Sequence, residues 1–236
     1  RSGRLSQILQ KRSILPQEEI GYLVNIFVLA QAVLLALVIL LLPLIRIRSF
    51  GGDKRRIPRI MIYFASLGLG FLFIEMALIE RFSVFLNSAT TAFSVVLAGM
   101  LVFSGLGSWF SSRYVDKAGK GIRLAVALIA VSVVCYILFL FPMIQSLSGL
   151  PLAVKGIVVL VVIAPVSFAL GMPYPLGLST MREHTGSLIP WAYAINGAFS
   201  VISTPVAAIV SVSSGFTALF AAAIVLYLLA FFFFPL

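Results

Sequence analysis

At 236 residues, with 61% apolar and 10% charged side chains, the chain carries more hydrophobic surface than a soluble globule of its size can cover. Soluble enzyme domains, disordered tails and disulfide-stapled secreted folds are excluded; the sole cysteine, Cys135, lies in an apolar run and can form neither an intrachain disulfide nor a Cys-based metal site. Seventeen Lys and Arg against seven Asp and Glu give +10, and these basic residues are scattered through short loops without stacking aromatics. That pattern points to cytoplasmic loops and anionic lipid, with no nucleic-acid partner.

The expected fold is all-α and transmembrane. A span needs ~20 apolar residues, and seven can be read in chain order. A polar tail, 1–19, carries Arg1, Arg4, Lys11, Arg12, Glu18 and Glu19 and leads into the first span, 20–45. The basic link 46–59 follows, and then a six-helix domain, 60–236, with spans at 60–86, 91–112, 124–141, 156–178, 190–212 and 216–234. Asn87-Ser88 marks a turn between the first two of these, and Pro190 suits a first helical turn, where its missing N–H costs nothing. Within 156–178, Pro173 and Pro175 remove two donors and restrict the residues before them, so the stretch 171–177 predicts a helix break. Such a break either lines a binding site or finishes the helix. A start at Arg1 and an end in Phe-Phe-Phe-Phe-Pro-Leu read as cuts in a longer protein, and no signal peptide is visible.

Orientation follows from the basic residues. Eleven of the seventeen Lys and Arg fall on the side of the 46–59, 113–123 and 181–190 loops, and six on the other. The loops at 46–59 and 113–123 are therefore expected in the cytoplasm. Parity then leaves the amino-terminal tail outside despite its four basic residues.

Glu75 carries the strongest chemical signal. At 1.5 Å per residue it lies ~22 Å into a helix that starts near Ile60, where an ionised carboxylate facing lipid costs ~2.5–3.5 kcal/mol. Helical spacing aligns it with Phe64, Gly68, Phe71, Leu78 and Phe82. It reads either as a carboxylate that binds a proton or cation, or as a buried structural group bonded to a Ser or Asn of a neighbouring helix. Glu80 and Arg81 lie further along the same helix; they either snorkel to the interface or supply a charged partner there. Asn196, Ser200, Ser203 and Thr204 form a polar stripe that either holds helices together or lines a path. Ser104, Ser108 and Ser112, interleaved with Gly99, Gly105 and Gly107, read as a small-residue packing face. His184 has no second ligand-type partner in sequence, so no metal site is expected.

Two resemblances sharpen the picture. Asp116-Lys-Ala-Gly-Lys-Gly-Ile-Arg123 resembles the cytoplasmic loop signature of the major facilitator superfamily, although Ser112 stands where that family usually has Gly. The resemblance implies that Gly119 makes a turn, that Asp116 caps a helix end, and that Arg113, Lys117 and Lys120 meet lipid phosphates or helix C-termini. It also implies a six-helix facilitator-like half bundle preceded by one extra helix. A second set of runs comprises Gly68–Phe82, Phe103–Ser108, Gly171–Gly177 and Ile189–Ala198. These look like the carboxy-terminal membrane half of the large bacterial membrane proteins of the spermidine-synthase-like family. That likeness implies a bacterial inner-membrane location, an upstream soluble domain similar to aminopropyltransferases and methyltransferases, and a polyamine-like substrate.

The leading expectation is an integral membrane domain that binds or transports a small molecule through an intramembrane carboxylate. Its candidate residues are Glu75, Glu80, Arg81, Asn196, Ser200 and Tyr174, beside the break at Pro173 and Pro175. Two rivals stand next to it. One is the membrane anchor of an aminopropyltransferase- or methyltransferase-like enzyme; the other is a structural subunit held among other membrane subunits. No catalytic constellation and no cofactor are expected in this chain, and the lipid bilayer is its expected surrounding.

Overall fold

The computed structural model describes residues 17–46, 56–184 and 186–235. The tail through Pro16 and the centre of the basic link, 47–55, lie outside the described residues. The described residues are helical almost throughout and contain no strand: α1 (Gln17–Arg46), α2 (Arg56–Phe85), α3 (Ala89–Ser111), a 3-10 segment (Ser112–Lys117), α4 (Ala118–Cys135), a π segment (Tyr136–Leu140), α5 (Phe141–Ser146), α6 (Leu152–Leu170), α7 (Pro173–His184), a second 3-10 turn (Gly186–Leu188), α8 (Ile189–Ser214) and α9 (Phe216–Phe232).

Among the described residues, four helical runs are long and apolar enough to cross a membrane: Ile57–Phe85, Ala89–Ser146, Leu152–Arg182 and Gly186–Ser214. The second, at 58 residues, would extend ~87 Å if straight. Both of its limbs, α3 and α4, pack on the 19-residue α6, so the run folds back on itself through the 3-10 segment. Phe216–Phe232 is a shorter apolar helix.

Local chemistry explains the ends. Asn87 adopts φ 53, and the Ser88 and Asn87 amides donate to the carbonyls of Ser83 (3.1 Å) and Val84 (3.4 Å). This is the left-handed helix stop that asparagine tolerates. Ser88 then starts α3, its hydroxyl accepting from the Thr91 amide at 3.2 Å. Gly215, with φ 78, is the single residue between α8 and α9, a backbone state that a side chain would strain. The π segment comes just before Pro142, whose ring and missing N–H disturb the preceding turn.

Two parallel helix pairs organise the interior. In the first, α2 lies along α8: Gly68 abuts Asn196 and Ser200, the Ser203 hydroxyl donates to the Leu69 carbonyl at 3.0 Å, and Glu80 meets Ser211 further on. In the second, α3 lies along α6: Gly99 faces Leu160 and Ile163, and Gly107 faces the Phe168 carbonyl. Contact is close because these positions lack side chains. A Cβ on Gly68 would fall 2.5 Å from the Asn196 carbonyl oxygen, and one on Gly107 or Gly171 would clash with the carbonyls of Phe168 and Ser104. Helix α9 packs against α2, α4 and α8, while α1 rests on α8 through buried Ala32 and Ala36.

Two details differ from sequence expectation. The break in the fifth span is short: α6 ends at Leu170, only Gly171 and Met172 lie outside helix, and α7 resumes at Pro173. Pro173 takes the first helical position and Pro175 the third, where no intrahelical donor is required. Chain reversal at 113–123 needs no glycine turn. Gly119 lies inside α4, positive φ among the described residues is confined to Asn87 and Gly215, and the helix start at Lys117 has no side-chain cap. Asp116 therefore does not cap it; Asp116, Lys117 and Lys120 are exposed, and the Arg113 guanidinium lies 5.1 Å over the Phe110 ring.

Candidate functional site

A cavity of about 450 Å3 opens between the two helix pairs, with the start of α7 and Tyr227 of α9 completing its wall. Its origin lies in the crossings themselves. Gly68, Gly105, Gly171, Ser104, Ser108 and Ser200 all line it; small residues that let helices approach also leave the space beside them unfilled.

Several polar groups converge on that space without partners among the described residues. Ser200 is engaged, its hydroxyl donating to the Asn196 carbonyl at 2.8 Å, and Ser104 donates weakly to the Leu101 carbonyl at 3.3 Å. By contrast, the Asn196 side-chain amide and the hydroxyls of Ser108, Tyr174 and Tyr227 make no hydrogen bond among the described residues, and all four residues line the cavity. Asn196, Ser108 and Tyr174 are half-buried and Tyr227 is buried, so this wall carries unused hydrogen-bonding capacity beside open space, where something polar can be received. Tyr174 and Pro175 come from the helix resumed after the break.

Glu75 stands just beyond the cavity. The α2 residues that line it are Leu67, Gly68, Phe71 and Leu72, and Glu75 is the next position on that stripe, ~6 Å along the axis from Phe71. Helical side chains lean back over the turn that precedes them, here the turn of Phe71 and Leu72. The residue is 7% exposed and forms neither a hydrogen bond nor an ion pair among the described residues.

Glu80 and Arg81 are elsewhere and engaged separately. The Ser211 hydroxyl donates to Glu80 Oε2 at 2.7 Å, and the Arg81 guanidinium lies 4.4 Å over the Phe216 ring. Lys155, no candidate on sequence grounds, is 6% exposed with its Nζ 5.2 Å from the Phe85 ring centroid. In the polar stripe of α8, Ser203 bonds to α2 and Thr204 faces outward, so only Asn196 and Ser200 reach the cavity.

An edge-to-face chain of five rings runs from the end of α9 past the cavity: Phe234–Tyr63 (5.5 Å), Tyr63–Phe64 (5.0 Å), Phe64–Tyr174 (5.4 Å) and Tyr174–Tyr193 (5.6 Å). Tyr63 also ties α2 to the helix break, its hydroxyl donating to the Pro173 carbonyl at 2.5 Å while its ring packs on Gly177. Sequence reading did not single out Phe71, Ser108 or Tyr227 as lining residues. Ser108 carried a signal, the four-residue serine spacing, but the same spacing describes a packing face.

Among the described residues no group of three His, Cys, Asp or Glu side chains could hold a metal ion. No known protein family, curated protein or solved structure matches this chain, so the geometry alone carries the functional reading.

Proposed function

We propose that the chain is an integral membrane domain that binds or transports a small cationic molecule, with the cavity as its receiving site and Glu75 as the group that accepts a cation or a proton. The observation that carries this reading is the carboxylate itself: buried, unpartnered, and next on the stripe whose earlier members line the cavity. A carboxylate in such surroundings is costly, and no contact among the described residues compensates it, whereas Glu80 on the same helix has Ser211. In this reading α1 is the first of seven spans, ahead of a six-helix facilitator-like half bundle made by α2–α9. The pairing of α2 with α8 and of α3 with α6, around a shared gap, supports that arrangement. The basic segments at 46–59 and 113–123 face the cytoplasm of a bacterial inner membrane.

The test is uptake into proteoliposomes under an imposed pH difference, with labelled spermidine and labelled tetraphenylphosphonium supplied separately. Glu75→Gln abolishes the pH-dependent component of whichever cation is moved. Uptake that is the same in the variant and the parent removes the reading.

A further inference from the structure

The cavity and its surroundings offer a countable amount of charge, and that count restricts what can be held there. None of the described residues lining the cavity is charged. A single acid, Glu75, follows on the lining stripe. The next acid on the helix, Glu80, lies ~140° round and ~7.5 Å further along, and it already accepts a hydrogen bond from Ser211. Beyond it stand cations, not anions: Arg81 over Phe216 and Lys155 over Phe85.

We infer that the cavity takes an organic cation bearing one charge on a compact apolar body, and that linear polyamines carrying several charges are excluded; this rests on the reading of Glu75 as the cation-accepting group. One positive charge can be met by Glu75. Every further ammonium would be desolvated without a counter-charge, and uncompensated buried charges are strongly unfavourable. The rest of the wall suits an apolar body. Phe71, Tyr174 and Tyr227 supply aromatic rings, a residue type that attracts a desolvated cation as well as hydrocarbon. The free Asn196 amide and Ser108 hydroxyl supply a hydrogen-bonding edge. A volume of about 450 Å3 is that of a site for a drug-sized molecule.

Equilibrium binding to the full chain in lipid nanodiscs, corrected with empty discs, decides the point. The probes are tetraphenylphosphonium, spermidine and the uncharged triphenylphosphine oxide. Expected is saturable binding of tetraphenylphosphonium at least tenfold tighter than either other probe. Glu75→Gln should remove the advantage of the cation over the neutral probe while leaving the neutral probe's affinity within twofold. That unchanged affinity also reports that the variant is folded. Tyr174→Leu should weaken tetraphenylphosphonium several-fold and Tyr174→Phe less than twofold. Tighter binding of spermidine that still depends on Glu75 overturns the single-charge inference and leaves the cation-binding reading standing. Equal binding of the neutral and charged probes, insensitive to Glu75→Gln, overturns the inference too. Saturable binding of neither cation overturns both.

Discussion

Helices α2 and α8 border two voids of similar size, and the voids differ in kind. On one face lies the cavity of about 450 Å3, with Asn196, Ser200, Ser108 and three aromatic rings in its wall. On another lies a groove of about 520 Å3 shared with α9 and lined by Leu69, Phe73, Phe199, Ile202, Val206, Ala222, Val225 and Leu226 alone. Volume does not separate them; polar groups without partners among the described residues do. An apolar groove on a membrane helix bundle is satisfied by a lipid chain, because hydrocarbon loses nothing by touching hydrocarbon. A wall bearing a free amide, free hydroxyls and a nearby bare carboxylate is not satisfied by the same neighbour.

The contrast can be broken first at its foundation. Gly107→Ala places a methyl against the Phe168 carbonyl at the α3–α6 crossing that holds one side of the cavity. Overpacking of this kind costs about 1–3 kcal/mol, so thermal unfolding in detergent should occur at a clearly lower temperature. Gly156→Ala on α6, where nothing lies within 4 Å of the added methyl, should leave it unchanged; equal effects from both would refute the close crossing.

Filling each void in turn tells the two apart. Ser108→Leu occupies the cavity and should weaken tetraphenylphosphonium binding tenfold or more, while Ala222→Leu occupies the groove and should leave binding within twofold. Equal losses from the two substitutions would show that the voids are equivalent. A smaller effect is expected at Tyr63→Phe, which removes the hydroxyl held by Pro173 and retains the ring. Loss of one such hydrogen bond costs about 1 kcal/mol, read as a modest drop in the unfolding temperature; no drop would mean that the latch carries no stability.

Much of the helical layout is legible in the amino-acid order because length and hydropathy define it. Helices cover the expected spans over most of 56–232, although the helical run over 124–141 extends from Ala118 to Ser146 and that over 156–178 is divided into α6 and α7; the stop at Asn87 and the interruption near Gly171 follow from local backbone chemistry. The facing of residues is less legible. Helix α9 is apolar around its whole circumference, so nothing in its pattern tells which side meets the protein, and Tyr227 on the cavity wall could not be distinguished from a lipid-facing ring. Serines four apart on α3 describe a packing seam and a cavity wall equally well; Ser104, against Gly171, belongs to both, and Ser108 lines the cavity. Nor does the order of residues reveal engagement. Glu75 and Glu80 look alike as acids in an apolar run, yet one is held by Ser211 and the other by no described residue. In the 113–123 segment the acidic-basic-glycine pattern suggests a turn at the glycine, but Gly119 lies inside α4 without a positive φ, and the backbone leaves helical angles at Lys117 instead (φ -131, ψ 42).

The row of rings from Phe234 to Tyr193 has a mechanical consequence. Each ring leans its edge on the next, and the members belong to α2, α7, α8 and the residues just after α9. Densely packed side chains transmit displacement because they have little room to absorb it. A displacement of Tyr174 would thus be felt at the far end of the row, at Phe234, about sixty residues away in sequence.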